Sequence, residues 1–190
     1  MKKIIFIPFF CLISLAIFSQ SKIANKWSAE AMLGVGTEFE AGTWGLEYGV
    51  QINYSLLDRL GFYTSLGSFQ SLFETSGIHK TNYSNLLWNL DIFGDIIRTQ
   101  KGHRLRFAAG ATYFKGALAF DSVSIGDEAG DYVVAWQAYY FNNIGINVNL
   151  SYICPLPKKW YLGVNLKAYD YVDGFFMQIA TVGCSVGYNF

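Results

Sequence analysis

The stretch "GLEYGVQINYSL", Gly45 to Leu56, sets the period of the whole chain. Its even positions are Leu46, Tyr48, Val50, Ile52, Tyr54 and Leu56, all apolar or aromatic. Its odd positions are Gly45, Glu47, Gly49, Gln51, Asn53 and Ser55, all small, polar or charged. Successive side chains of a β-strand point to opposite faces, so this alternation describes a strand with one apolar and one polar side. No template with 3.6 residues per turn accommodates it.

The pattern recurs along the chain. Near 27–37, Trp27, Ala29, Ala31, Leu33 and Val35 oppose Ser28, Glu30, Gly34 and Gly36. Further alternating stretches lie near 60–70, 84–97, 103–114, 133–152 and 160–170. The closing "TVGCSVGYNF" (181–190) puts Val182, Cys184, Val186, Tyr188 and Phe190 on one face. Tyr63, Phe69 and Phe93 interrupt the polar face of the third and fourth stretches. The links "LDR" (57–59), "RTQKG" (98–102) and "CPLPKK" (154–159) are short. They alternate with links that are mostly longer, 38–44, 70–81, 115–131 and 169–174. Eight strands with short links at one end and longer ones at the other predict an all-β fold: a closed, antiparallel, eight-stranded up-and-down barrel.

Composition narrows the surroundings of that barrel. Hydrophobic residues make up 52% of the chain and aromatics 18%, but charged residues only 15%, against about 25% in a typical soluble domain. The formal net charge is zero, and no basic patch points to nucleic acid. Lys2 and Lys3 precede the apolar run "IIFIPFFCLISLAIF" (4–18) and then "SQS", the pattern of a secretory signal peptide. Residues 1–20 are therefore read as a cleaved signal, with cleavage between 19 and 21, and 21–190 as the barrel domain. Cys11 lacks the context of a lipoprotein signal. Cys154 and Cys184 are the remaining cysteines, too few for a disulfide framework, and are expected as free thiols.

Three features turn the apolar face outward. The polar faces combine Gly, Ser and Asn with charges of both signs, suited to the interior of an eight-stranded barrel, which side chains just fill. Aromatics gather at the strand ends. Trp27, Phe62, Phe107, Tyr152, Trp160, Tyr188 and Phe190 form one ring; Trp44, Tyr48, Trp88, Tyr113, Trp136, Tyr140 and Phe176 form a looser second. Strands of about ten to twelve residues tilted by about 40° span roughly 25–30 Å, a bilayer's hydrocarbon thickness. Since hydrocarbon tolerates no open sheet edge, the last strand is expected to pair with the first.

The terminal "VGYNF" after an exported signal resembles the closing strand of the Gram-negative outer-membrane β-barrels. The whole mature chain is similar to their small eight-stranded, porin-family-type members. That resemblance implies residence in the outer membrane among its lipids and lipopolysaccharide. It also implies a C-terminal assembly signal, here Gly183, Tyr188 and Phe190, read by the barrel-assembly machinery. It implies no catalytic motif, no metal and no cofactor.

Candidate site residues are the charges on the inward faces: Glu30, Glu47, Asp91 and Asp95 against Arg104, Arg106 and Lys167. They are read as a structural ion-pair network plugging the lumen, because unpaired charges in a narrow interior are costly. Lining of a proton or ion path is the sharper alternative. His79, near Ser76, Thr81 and Ser84, could act with a hydroxyl in a lipid-modifying enzyme, but no motif supports more than a solvated loop histidine. His103, beside a short turn, is read as structural. Asp121, Asp127, Glu128 and Asp131 read as an acidic surface loop, their spacing not being that of an EF-hand. Gly42-Thr43-Trp44 is similar to the Gly-x-Trp of soluble, ligand-carrying lipocalins, but falls in a predicted loop. The expected function is a non-enzymatic scaffold presenting four extracellular loops to an extracellular or envelope protein partner. A lipid-modifying enzyme, or a narrow pore or accessory protein of secretion or assembly, are the alternatives.

Overall fold

The computed structural model describes residues 26–39, 42–73, 81–125, 132–171 and 179–190. It comprises strands β1 (Trp27–Glu38), β2 (Thr43–Ser55), β3 (Leu60–Phe73), β4 (Thr81–Arg98), β5 (Arg104–Ile125), β6 (Tyr132–Pro155), β7 (Trp160–Tyr171) and β8 (Ile179–Asn189), with a single 3-10 turn at Pro157–Lys159. Each strand pairs antiparallel with its chain neighbours, and β1 pairs with β8 from Ser28↔Asn189 to Glu38↔Ile179, closing the barrel. The Phe190 amide donates to the Trp27 carbonyl at 3.0 Å. The chain's last residue is thus held in the wall, and no sheet edge is left at the seam.

The short links form tight turns at one end. Gly102, with φ +86°, sits in the β4–β5 turn, where its amide donates to the Thr99 carbonyl at 3.0 Å; a side chain there would be strained. Between β6 and β7, Lys158 and Lys159 both take positive φ. Their charged ends lie at the rim rather than in the wall.

The apolar face points outward. On β4, Trp88, Leu90 and Ile92 are 58%, 64% and 48% exposed, while Leu87, Asn89, Asp91 and Phe93 between them are all buried. Leu33, Val50, Leu66, Ile146, Val164 and Val182 continue the belt around the wall. At the short-turn end Trp27 packs on Tyr54 and Tyr54 on Phe62, with Trp160, Tyr188 and Phe190 forming a second run. Tyr54 thus joins the expected ring. At the other end Trp44, Tyr48, Trp88, Tyr113 and Tyr140 are exposed. Phe176 and the side chain of Trp136 lie outside what is described.

Strand ends depart from expectation. The stretch 115–131, read as a loop because of its acidic residues, is largely strand. β5 and β6 pair continuously from Arg104↔Ile153 to Ile125↔Tyr132. Meanwhile β4 leaves β5 at Thr81↔Phe120, and β7 leaves β6 at Gly145↔Tyr171. The hairpin therefore runs on past the barrel wall, because "ALAF" and "YVVAWQAYYF" are rich in residues that favour extended pairing. Beyond Phe120, where β4 leaves it, the hairpin rises a further roughly 13 Å to Ile125, taking about 3.3 Å per residue and a tilt near 40°. Thr43 and Trp44 likewise begin β2 rather than lying in a loop, which removes the lipocalin-like placement of Gly42-Thr43-Trp44. The signal segment 1–20, Ser76, His79, Asp127, Glu128 and Asp131 lie outside the described residues, as does the Asp121 side chain. Cys154 on β6 and Cys184 on β8 are free thiols on non-adjacent strands.

Candidate functional site

The inward-facing side chains fill the lumen in layers, and the order follows strand parity. At the short-turn end Asp95 of β4 stands opposite Arg106 of β5 in the ladder. The Arg106 Nε donates to Asp95 Oδ1 at 2.7 Å, and Arg104 Nη1 lies 3.8 Å from Asp95 Oδ2. The Arg106 guanidinium also lies 3.7 Å above the Phe93 ring, which packs with Tyr63 and Ala108. Charge-assisted and cation–π contacts together keep Arg106, only 5% exposed, from being stranded. Nearby, the Tyr161 hydroxyl donates to Glu30 Oε2 at 3.2 Å. Asn53 donates to Ser28, and Gln51 to Asn53.

The middle layer joins opposite sides of the barrel. Lys167 of β7 donates to Glu47 Oε1 of β2 at 2.8 Å, although the two strands are separated by β8 and β1. Tyr169 donates to the same oxygen at 2.7 Å, and the Thr181 hydroxyl donates to Glu47 Oε2. Glu47 therefore has one ammonium and two hydroxyl donors, the arrangement a buried carboxylate requires. A small cavity beside this pair is lined by Met32, Gly34, Asn165, Thr181 and Gly183. A neutral network adjoins it: Asn89 accepts from Thr112, Thr112 from Asn147, and Ser65 from Asn89.

The third layer is mostly apolar, with Asn85 buried in it opposite Phe69 and donating to the Tyr83 hydroxyl at 2.9 Å. Phe69, Leu87, Phe114, Tyr169 and Ile179 are buried against one another, with Tyr83 alongside and Leu118 and Phe141 packed on them. This corrects the expectation of a hydrophilic interior. Tyr63, Phe69 and Phe93, which interrupted the polar pattern, are lumen residues rather than wall residues, and the interior is capped toward the long-loop end by rings and aliphatic side chains.

The seven charges predicted to line the lumen do not form one network, and Glu38 on β1 is a further buried carboxylate that the prediction left out. Glu47 with Lys167 makes one group; Asp95 with Arg104 and Arg106 makes another. Glu30 meets a hydroxyl rather than a cation, and Asp91, with no cation within ion-pair distance among the described residues, lies beside the Tyr63 hydroxyl and Asn147. Tyr161, Tyr169 and Thr181 share the inward register of Gly163, Asn165, Lys167 and Gly183 and all donate within the lumen, yet none of them is among the candidate site residues read from the sequence. His103, at the rim, lies 3.0 Å from the Tyr152 hydroxyl and stacks on its ring. Thr81 and Ser84 begin β4. Among the described residues no group of three or more His, Cys, Asp or Glu side chains is placed to hold a metal ion.

The fold recurs in solved proteins. The N-terminal β-barrel domain of Pseudomonas aeruginosa OprF matches with a TM-score of 0.58 at 17% identity, covering 87% of this chain and 98% of that one. Neisserial surface protein A matches with a TM-score of 0.61 at 11% identity, covering 90% and 100%. The attachment invasion locus protein Ail of Yersinia pestis matches with a TM-score of 0.56 at 14% identity, covering 87% and 99%. The fold is that of the small outer-membrane barrels. No protein-family model matches the sequence, and no curated protein matches it significantly. With its apolar belt facing outward, this outer-membrane-type barrel spans a bilayer through strands; among the described residues no helix is long and apolar enough to do so.

Proposed function

We propose that the chain serves in the outer membrane as a non-enzymatic scaffold, a sealed barrel that holds its long-loop end toward the exterior. One observation carries this reading: the β5–β6 hairpin continues past the wall above a lumen closed by the Phe69, Leu87, Phe114 and Ile179 layer. A rigid base with a protruding two-stranded ribbon suits presentation of a surface to an extracellular or envelope protein, and binding residues commonly sit on connections held by such a scaffold. Lipids and lipopolysaccharide contact the belt. The barrel-assembly machinery engages the terminal strand through Gly183, Tyr188 and Phe190, and residues 1–20 direct export. Glu30, Glu47, Asp91, Asp95, Arg104, Arg106 and Lys167 serve the packing of the plug rather than transport.

An epitope inserted between Ile125 and Tyr132 tests the orientation. Antibody should bind it on intact cells, and the purified protein should give no discrete conductance in planar bilayers. Binding only after the outer membrane is permeabilised, or stepwise conductance, overturns the proposal. Lipid A mass spectra altered by deletion of the gene would favour the lipid-modifying alternative instead.

A further inference from the structure

We propose that the short-turn rim of the barrel is a binding surface for phospholipids with a net negative headgroup. The described residues at this end include Lys26 before β1, Arg59 in the β2–β3 turn, Arg98 and Lys101 at the β4–β5 turn, and Lys158 and Lys159 in the β6–β7 turn. Among the described residues of those turns Asp58 is the one acidic side chain, and the terminal carboxylate of Phe190 lies at the seam. The opposite links read the other way in the sequence: Glu40, Glu74, Asp127, Glu128, Asp131 and Asp173 fall there, against Lys80. The chain is neutral overall, so its basic end reflects charge separated along the barrel axis. Among the described residues none of the six rim cations forms an ion pair.

These cations are set on fixed backbone. The Asp95 amide donates to the Arg59 carbonyl at 2.7 Å, and Arg98 Nη1 donates to the Asp58 carbonyl at 3.0 Å, which ties two neighbouring turns together. One such bond leaves the Arg98 guanidinium further N–H donors, in the fork that suits a phosphate. The Ser55 amide donates to the Lys26 carbonyl at 2.8 Å, and the Asn189 side chain donates to the Lys159 carbonyl at 3.0 Å. Lys158 and Lys159 both lie in the left-handed region, with φ 59° and 68°, and the Trp160 amide closes their turn on the Pro157 carbonyl. Turns of that shape favour Asn-Gly, because a lysine Cβ is strained there. Two adjacent lysines in it display two ammonium groups at a conformational cost, and such strain gathers at functional positions.

Their placement selects a lipid surface over a compact ligand. The cations are spread over all three short turns and the start of β1 instead of converging on one pocket. They also border the aromatic ring. Lys26 precedes Trp27, Lys159 precedes Trp160, and Lys101 shares its turn with His103, which stacks on Tyr152. Trp27 and Trp160 are exposed, and amphipathic rings of this kind sit at headgroup level. Basic groups just beyond them lie at the depth of lipid phosphates, where each draws anionic lipid by about fivefold. With the long-loop end outward, as proposed above, these are lipids of the periplasmic leaflet; the binding itself does not rest on that orientation.

The test uses the folded barrel in vesicles of phosphatidylcholine and phosphatidylglycerol, with brominated acyl chains on one lipid and then on the other. Quenching of tryptophan fluorescence reports which lipid lies against the barrel. Both leaflets have the same composition, so the direction of insertion is immaterial. Phosphatidylglycerol should be preferred by about fivefold at about 10 mM salt, falling toward parity at about 0.5 M. Lys158→Asn/Lys159→Gly relaxes the turn, so it should unfold at the same temperature or higher while the preference shrinks. Adding Lys26→Gln, Arg59→Gln, Arg98→Gln and Lys101→Gln should bring the ratio to about one, although Lys115 on the outer face of β5 stays in place. A preference that survives the six substitutions or high salt overturns the proposal. So does a wild-type ratio of one, which leaves an acidic protein as the partner such a rim fits. The wild-type salt series decides the matter should the multiple variant fail to fold. Failure of the long-loop end to present a surface on cells would leave all of these ratios unchanged.

Discussion

Lys167→Met is the perturbation on which the account of the lumen can be most closely tested. The substitution keeps the apolar stem and removes the ammonium from a residue only 6% exposed. Glu47, 4% exposed, is left with the hydroxyls of Tyr169 and Thr181 and no cation. Removing one member of a buried ion pair costs about 3–5 kcal/mol. The two remaining hydroxyl donors, each worth about 1.5–3 kcal/mol to a charged acceptor, place the expected loss near the lower bound, about 3 kcal/mol. At about 2–4 °C per kcal/mol for a chain of this size, the unfolding midpoint should fall by about 6–12 °C. Glu47→Gln removes the charge, keeps a carbonyl for one of the two hydroxyls and turns an NH2 toward the other, whose oxygen can accept. The double variant Glu47→Gln/Lys167→Met should therefore return to within about 1 kcal/mol of the wild type, giving a coupling energy of about 2 kcal/mol or more. Urea titration in micelles, followed by tryptophan fluorescence and by heat-modifiable gel mobility, supplies all four corners of the cycle. A Lys167→Met loss below about 0.5 kcal/mol with additive singles would mean that the pair is screened by water, and the packed lumen would have to be abandoned.

The outer belt and the seam are open to equally direct tests. Leu90→Arg, on the exposed middle of β4, should cost about 2–4 kcal/mol in lipid vesicles, while Tyr152→Arg in the ring at the short-turn end should cost about 0–1 kcal/mol; equal costs in a vesicle unfolding titration would contradict the depth assignment. At Gly187 a Cβ would lie 2.1 Å from Cζ of Tyr161, so Gly187→Ala should destabilise the β7–β8 pair by about 1–3 kcal/mol. Tyr161→Ala in the same chain should recover part of that loss, and absence of any recovery would show that the ring does not lie over the glycine.

Much of this architecture could be read from alternation alone. A period of two forces one face of every strand to be apolar, and in "GLEYGVQINYSL" nothing interrupts it, so both the strand and the sidedness of β2 followed from its residues. The Asp95–Arg106 pair was within reach as well, because the two residues face each other across a single hairpin. The length of β5 and β6 was not, since Asp121, Asp127, Glu128 and Asp131 resemble a solvated loop whether or not the backbone on either side remains paired.

What the amino-acid sequence determined by itself is the strand periodicity, the apolar outer face, the aromatic rings and the closure through the last strand. These depend on neighbours two residues apart or on one adjacent strand. Only the tertiary structure decided that Glu47 meets Lys167 across two intervening strands, that Asp91 and Glu30 have no cation within ion-pair distance among the described residues, and that Phe69, Leu87, Phe114 and Ile179 pack into one buried cluster. Contacts across a barrel depend on its stagger and circumference, which are properties of all eight strands together and are carried by no single stretch.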